Sequence, residues 1–211
     1  MSCIAKFCAN HLRTFSNNLG VKLKSGHAHE LVAAFFGYKS KAAMLADTLS
    51  PIDSLNQAQF LVLASSQFIE QRRKCLEDLP PDLPDNSILG EALFTCLTLE
   101  GQFSGRPFAG WKHLIDILTT EYLLQRGSSI LSINFGLNEI AHSNFDKPTN
   151  EYIPVPDITG NGVTLTTNMR YAENDTNSES IDIIVTIKLQ RIAGHIGYAN
   201  PEISVSTGGA I

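Results

Sequence analysis

Long apolar runs are missing from this sequence. Apolar runs such as residues 60–64 and 183–185 fall far short of the roughly 20 residues that a membrane-spanning helix needs. The N-terminus also does not read as a secretory signal, because Lys6, His11 and Arg13 interrupt any apolar core there. The sequence therefore predicts a cytoplasmic protein that does not enter a membrane.

Cysteines are few and follow no disulfide-framework spacing: Cys3, Cys8, Cys75 and Cys96. In a cytoplasmic chain we expect them to be reduced and mostly buried. His27 and His29, with Cys8 and His11 on the helix before them, suggest a zinc site. Residues two apart on a helix point in different directions, however, so capping or surface polarity explains both histidines better. We predict no metal ion.

Catalytic motifs are also absent. The sequence contains no nucleophile elbow, no HExxH motif, no dinucleotide fingerprint and no paired carboxylates at helical spacing near a histidine. We therefore expect no cofactor, and a non-enzymatic role is favoured. An enzyme stays open as an alternative, because a catalytic triad can assemble from distant positions.

Charge is unevenly distributed along the chain. Residues 1–46 hold six cationic residues and one glutamate, a net charge of +5, and because the whole chain has −5, the remainder carries −10. The cations are Lys6, Arg13, Lys22, Lys24, Lys39 and Lys41. This asymmetry indicates either an acidic partner, protein or nucleic acid, or an attraction between the two ends of the chain.

Three helices are predicted in the first fifty residues. Apolar residues recur every three or four positions over residues 3–19, which predicts an amphipathic helix that ends at Gly20. A second helix is predicted from about residue 26 to 36, with Ser25 as its N-cap and Gly37 after its last turn. A short third helix follows Ser40.

The second and third helices have the order of a helix-turn-helix motif. Lys39 and Lys41 would lead into a recognition helix that contacts phosphates, with Lys22 and Lys24 as further cations. The third helix, however, presents mainly alanine and methionine, where recognition helices present Arg, Asn or Gln to base edges. Phosphate contact therefore stays open, and base-specific reading is not favoured.

Residues 4–46 also resemble the small helical domain called glyoxalase-related, which occurs in bacterial and mobile-element proteins. The resemblance is carried by the first amphipathic helix, then by His27-Ala28-His29-Glu30-Leu31-Val32-Ala33, Phe36-Gly37-Tyr38-Lys39-Ser40 and Met44-Leu45. It covers about a fifth of the chain. It implies a helical fold and a binding role but no catalytic residue, since the chain lacks the repeated βαβββ pattern of the glyoxalase enzymes.

Further helices are predicted in the middle of the chain, over residues 66–79, 88–99 and 108–125. The apolar run at 58–64 is ambiguous between a buried strand and a helix. Residues 79–85 contain three prolines, which interrupt the helices. The glycine-rich residues 101–111 are expected to form a helix–helix connection.

From residue 130 the apolar period changes from 3.6 to 2. Alternation over 131–135, 163–171 and 183–189 predicts half-buried strands, and Ile203 with Val205 predicts a short final strand. Arg191, His195 and Tyr198 lie on a glycine-containing segment just after the strongest of these strands. Such a segment either holds binding residues or turns a corner of the sheet.

Together these patterns predict an α+β protein. A basic helical module is expected over residues 1–50, a helical middle segment over 51–126 and an antiparallel β-sandwich or small barrel over 127–211.

The favoured function is a non-enzymatic binding or adaptor protein. Its basic module would engage an acidic partner through Lys22, Lys24, Lys39 and Lys41, and its β-rich region would form a second interaction surface or a homo-oligomer contact. One alternative is a nucleic-acid-binding protein that uses the same lysines. The other is an enzyme with a site at Arg191, His195 and Tyr198.

Overall fold

Most of the described helices lie in the N-terminal half of the chain and most of the described strands in its C-terminal half, so the predicted α+β class is confirmed. The structure, a computed structural model, describes residues 3–63, 65–135, 157–159, 161–171 and 181–207. The chain divides into two compact units, Met1–Ala109 with Gln190–Asn200 and Gly110–Leu189 with Pro201–Ile211. The division into three consecutive segments stays a prediction.

The three helices predicted in the first fifty residues are present. Helix α1 runs Cys3–Asn18 and buries Ile4, Cys8 and Leu12, the face that the apolar spacing predicts. The chain reverses at Gly20, whose φ of +80° is open to glycine at no steric cost. Helix α2 runs Ser25–Phe35 and is buried over most of its length.

Helix α3, Lys41–Ala46, is only six residues long, and both its start and its entry turn are held by side chains. The Ala43 N–H donates to Ser40 Oγ (3.1 Å), a standard N-cap. The Lys41 N–H donates to Glu30 Oε2 (3.0 Å), and the same oxygen pairs with Arg72 Nη2 (2.8 Å). A helix this short does not persist alone in water, so these contacts and its surroundings fix it.

The middle of the chain alternates between short helices and short strands. A 3-10 helix, Ile52–Gln57, precedes strand β1, Phe60–Val62, so the middle of the ambiguous run at 58–64 forms a strand. Helices α4, Ser65–Lys74, and α5, Asn86–Leu99, flank the proline-rich residues 79–85. The connection after α5 contains strand β2, Arg106–Phe108, which the sequence did not predict.

The first unit contains a small mixed sheet. β1 pairs with β2 in parallel and with β6, Gly197–Tyr198, antiparallel. β6 in turn pairs antiparallel with the last residues of β5, which runs Ile181–Ala193. Pro107 lies on β2, which pairs only with β1 among the described strands and so tolerates a residue without an N–H.

The core of this unit is one apolar cluster shared by α1, α2, α4, α5 and the returning segment 190–200. Its largest fully buried members are Phe35, Phe36, Leu12, Leu31, Leu55, Leu61, Ile69, Leu89, Leu93 and Leu97. Ala193 and Ile196 belong to the same cluster. Residues from the end of the chain therefore complete the core of the N-terminal helices.

The second unit begins with helix α6, Trp111–Phe135. It buries Leu114, Ile115, Leu118 and Leu123. The strand predicted at residues 131–135 is wrong, since α6 continues through them. Three alternating apolar residues do not specify a strand when they directly follow a long helix, because extending a helix adds one hydrogen bond per residue without a new nucleus.

The strands of this unit follow the predicted alternation. β4, Gly162–Tyr171, buries Val163, Leu165 and Met169, and the first part of β5 buries every second residue from Ile183 to Leu189. β3, Asp157–Thr159, pairs antiparallel with β4, and β7, Glu202–Thr207, pairs antiparallel with β5. The predicted final strand at Ile203 and Val205 is thus confirmed.

Among the described helices, none combines the length and the apolar character that crossing a membrane requires.

Candidate functional site

The segment 190–200 places Arg191 beside Asp47. Arg191 lies near the end of β5, and Asp47 follows directly after α3. Arg191 Nη2 and Asp47 Oδ2 are 3.3 Å apart, and the two side chains are only 11% and 10% exposed. An ion pair this shielded is screened little by salt, and removing one partner leaves an uncompensated charge away from water.

Both carboxylate oxygens of Asp47 accept hydrogen bonds from the protein. Oδ2 accepts from the Tyr38 hydroxyl (2.7 Å), and Oδ1 accepts from the N–H groups of Leu49 and Ser50 (3.0 Å each). Burial alone would raise the pKa of Asp47, but these hydrogen bonds and the Arg191 charge outweigh burial and lower the pKa below its usual value. Asp47 is therefore ionised at neutral pH and fixes the turn after α3.

Ser50 joins the two segments a second time. Arg191 Nε donates to Ser50 Oγ (3.1 Å), and the Gly194 N–H donates to the Ser50 carbonyl (2.8 Å). Ser50 is fully buried, so its polar groups need such partners. The guanidinium of Arg191 thus contacts three side chains, those of Asp47, Ser50 and His195.

His195 is held as a neutral imidazole. Arg191 Nη1 lies 3.0 Å from His195 Nδ1, and because a guanidinium only donates, Nδ1 must carry no proton in this contact. The ring also packs edge-on against Tyr38, with centroids 4.7 Å apart. Burial, then the Arg191 charge, lower the pKa of His195 against an opposing effect of Asp47. The imidazole is therefore uncharged at neutral pH.

Two glycines allow the chain segments to approach this closely. Gly37 has a φ of +83°, and a Cβ there would lie 2.7 Å from the Cβ of His195. Gly194 has a φ of +56°, and a Cβ there would lie 3.1 Å from the Phe36 carbonyl oxygen. The His195 N–H donates to that same carbonyl (2.9 Å). Both turns therefore need glycine for conformation and for space.

Tyr198 completes the network on its inner side. Its hydroxyl donates to the His195 carbonyl (2.8 Å), and its side chain is buried, which raises the pKa of the phenol above its ordinary value. The structure thus brings together all three residues that the sequence singled out on this segment. We call the set Tyr38, Asp47, Ser50, Arg191, His195 and Tyr198 the Arg191 network.

Sequence reasoning missed Tyr38, Asp47 and Ser50. Ser50 and Arg191 are 141 positions apart, and no periodicity links residues at that distance. One signal was available: Asp47 is the only carboxylate between residues 31 and 50, in a segment that otherwise carries lysines. A lone acid in a basic segment indicates a specific pairing, but it does not name the partner.

The Arg191 network holds two distant segments of the chain together, the turn after α3 and segment 190–200. The carboxylate binds arginine and tyrosine rather than histidine, so the carboxylate–histidine contact of a catalytic triad is not formed here. The Nδ1 atom of His195 already accepts a hydrogen bond from Arg191. Of the two interpretations left open for this segment, the arrangement favours a structural corner, which holds the turns on both sides of α3.

The four predicted binding lysines fall into two pairs. Lys22 and Lys24 precede α2, whereas Lys39 and Lys41 follow it. Because α2 has 11 residues, the pairs are separated by a helix about 16 Å long. Lys24 pairs with Asp78 (3.3 Å) on the surface. Within the described residues, the ammonium groups of Lys39 and Lys41 form no ion pair.

Helix α3 exposes apolar side chains beside these lysines. Met44 is its one buried residue, while Ala42, Ala43, Leu45 and Ala46 are exposed. Leu49, just beyond the helix, is 68% exposed, and Leu45 is 46% exposed. The helix-turn-helix order is present, but its second helix is short and offers no Arg, Asn or Gln to a base edge.

Of the cysteines and histidines near α1, Cys8 and His29 have protein partners. Cys8 and Cys96 are buried free thiols, whereas Cys3 and Cys75 are exposed, so the expectation of buried thiols is right for two of the four. A hydrogen bond with Cys96, and then burial, raise the pKa of the Cys8 thiol well above its ordinary value. His29 Nδ1 lies 2.8 Å from the Ser25 carbonyl oxygen. The described part of the chain holds no cluster of three metal-ligating side chains.

No protein-family model, curated protein or solved structure matches this chain. The resemblance of residues 4–46 to the glyoxalase-related helical domain therefore stays a prediction.

Proposed function

We propose that this protein is a non-enzymatic binding or adaptor protein whose basic N-terminal helical module engages an acidic partner. The observation that carries the proposal is the surface beside α3. There Lys39 and Lys41 present ammonium groups that no carboxylate among the described residues neutralises. Cations left free on a rigid element can steer and hold an acidic surface.

The rigidity of this element supports a binding role. Glu30 and Ser40 hold the start of α3, and the Arg191 network holds the turns on either side of it. A binding surface that is already ordered loses less conformational entropy when a partner docks. The glyoxalase-related resemblance, which implies a binding role and no reaction, is consistent with this.

An acidic protein fits this surface better than nucleic acid does. Phosphates would use the lysines but leave the exposed apolar side chains of α3 in water. An enzyme at Arg191, His195 and Tyr198 is supported less well, because the polar groups of these residues bond to one another and to Asp47 and Ser50.

The partner class can be tested with two labelled probes, a poly-glutamate peptide and a duplex DNA of random sequence, measured by fluorescence anisotropy with the full chain. We expect the peptide to bind more tightly than the DNA. Binding should weaken as salt shortens the Debye length from about 30 Å at 0.01 M to about 8 Å at 0.15 M.

Charge-reversal variants supply the control. Reversing all four lysines, Lys22, Lys24, Lys39 and Lys41, to Glu should abolish peptide binding. Lys112→Glu with Lys188→Glu, two exposed lysines outside the module, should leave binding nearly unchanged. Peptide binding that survives all four reversals would contradict the proposal, as would a protein that binds neither probe; tighter binding of the DNA would favour the nucleic-acid alternative.

A further inference from the structure

We infer that the α3 surface, defined as Lys39, Lys41, Leu45 and Leu49, is a docking site for an acidic segment of another protein that also carries apolar side chains. The inference deepens the proposed function, on which it rests, because it selects one of the two lysine pairs and adds an apolar requirement.

The α3 surface carries an outward positive charge. Between residues 39 and 49 the chain carries two lysines and one carboxylate, Asp47. That carboxylate is turned inward and paired with Arg191, and nearby Glu30 is paired with Arg72. The outward charge of this surface is therefore positive and complementary to an acidic segment.

The α3 surface also exposes apolar side chains to solvent. Leu49 is 68% and Leu45 46% exposed, and three exposed alanines lie on the same short helix. Apolar residues that cluster beside charged ones are a mark of protein interfaces. An amphipathic acidic segment can use both features at once, with its carboxylates on the lysines and its apolar side chains on the leucines.

Hydrogen bonds fix the turns on both sides of α3. The Asp47 carboxylate accepts the N–H groups of Leu49 and Ser50, so the turn that carries Leu49 is fixed rather than free. Tyr38, which precedes α3 in the chain, donates a hydrogen bond to the same carboxylate. The α3 surface is thus presented in one arrangement before any partner arrives.

The test uses three labelled probes and the full chain. The first is a short amphipathic peptide of Glu and Leu, the second has the same Glu positions with Ser for Leu, and the third is the duplex DNA. We expect the Glu/Leu peptide to bind at least about tenfold more tightly than the Glu/Ser peptide, since burying one exposed leucine is worth a factor of that order or more.

Variants then assign the surface. Leu45→Ser with Leu49→Ser should weaken binding of the Glu/Leu peptide by about tenfold or more, and Lys39→Glu with Lys41→Glu should abolish it. Two matched controls should bind as the parent does: Leu99→Ser, at an even more exposed leucine (80%) on α5, and Lys22→Glu with Lys24→Glu. All these positions are exposed except Lys41, which is half-buried, and the variants are expected to fold.

The outcomes separate the inference from the proposed function. If the Lys22 and Lys24 reversals abolish binding and the α3 variants do not, the inference is wrong and the broader proposal stands. Equal binding of the two peptides would also overturn the inference, because the leucines would then contribute nothing. Preference for DNA, or a loss of self-association in the Leu45 and Leu49 variant without any peptide binding, would replace the occupant with nucleic acid or a second copy.

Discussion

Arg191 joins the returning segment 190–200 to the turn that follows α3. Its guanidinium binds Asp47, Ser50 and His195, which lie on two segments far apart in the chain. Replacing it with Met would leave Asp47 as a shielded carboxylate without a cation. Such a loss typically costs about 3–5 kcal/mol.

We expect Arg191→Met to lower the free energy of unfolding by roughly 3 kcal/mol, read from the urea midpoint at unchanged slope. Lys112→Met is the matched control, because Lys112 and Asp116 form an exposed pair one helical turn apart (2.7 Å). The control should cost no more than about 0.5 kcal/mol. Equal midpoints for the two variants would show that the Arg191 pair contributes no more than a surface pair.

His195 makes the free energy of unfolding depend on pH. Its pKa in the folded protein lies below the ordinary value of about 6.5, so in the window between the two values the unfolded chain binds a proton that the folded chain does not. The stability from this residue is therefore present above pH about 6.5 and is lost as the pH falls through the lowered pKa. Asp47, with its own lowered pKa, adds a loss of the same sign at more acidic pH.

We expect the free energy of unfolding of the parent protein to decrease between pH 7 and pH 5. His195→Gln should flatten that decrease, because the side chain no longer titrates. His113→Gln, at an exposed histidine on α6, serves as the control and should keep the parent's slope. Parallel pH curves for the parent and the His195→Gln variant would show that His195 does not cause the decrease.

At the scale of single elements, the turn between α2 and α3 depends on Gly37. An alanine there would have to adopt a φ near +83° and would place its Cβ 2.7 Å from that of His195. Strain of this kind costs on the order of 1–3 kcal/mol.

We expect Gly37→Ala to destabilise the protein by roughly 2 kcal/mol or more, measured by thermal or urea unfolding. Gly26→Ala is the matched control. Gly26 lies in α2, and a Cβ there meets no atom within 4 Å, so alanine should stabilise the helix by about 0.5–1 kcal/mol. Opposite signs for the two variants are the signature; the same sign and size would contradict the close approach at Gly37.

Element boundaries show how far the sequence alone reaches. Helices α1, α2 and α3 were predictable because each combines apolar periodicity with a local stop or start, at Gly20, Gly37 and Ser40. Strands β4 and β5 were predictable because their two faces differ in polarity.

Two elements were not predictable from local signals. The end of α6 was placed too early, because Leu131, Ile133 and Phe135 alternate like a strand although they extend a helix. Strand β2 has three residues, one of them a proline, and exists because β1 offers a partner edge. Elements this short are determined by tertiary pairing and not by their own sequence.

At the scale of the whole molecule, the last part of the chain completes the first unit. The Arg191 network and the apolar core both draw on residues 190–200. From the sequence, Arg191, His195 and Tyr198 were predicted as one group that either binds a ligand or turns a corner of the sheet. The sequence could not indicate that they meet Tyr38 and Asp47, because such contacts between distant segments follow from packing rather than from spacing.

Ile196→Ala tests this organisation. Ile196 is buried in the cluster formed with the N-terminal helices, so we expect a loss of about 2–5 kcal/mol and faster hydrogen exchange at the amides of α2. Ile203→Ala, at a half-buried position on β7 in the second unit, is the control and should leave those amides as protected as in the parent. Unchanged exchange in α2 for both variants would mean that segment 190–200 does not support the first unit.

Binding of an acidic, partly apolar partner at the α3 surface can be observed residue by residue. The most direct measurement is a set of amide NMR shifts recorded while the Glu/Leu peptide is added to isotope-labelled full-length protein. We expect shifts concentrated in residues 39–49, with those of α6 and of the Lys22–Lys24 turn unmoved. Shifts centred on α6, or at Lys22 and Lys24 with residues 39–49 silent, would contradict this expectation.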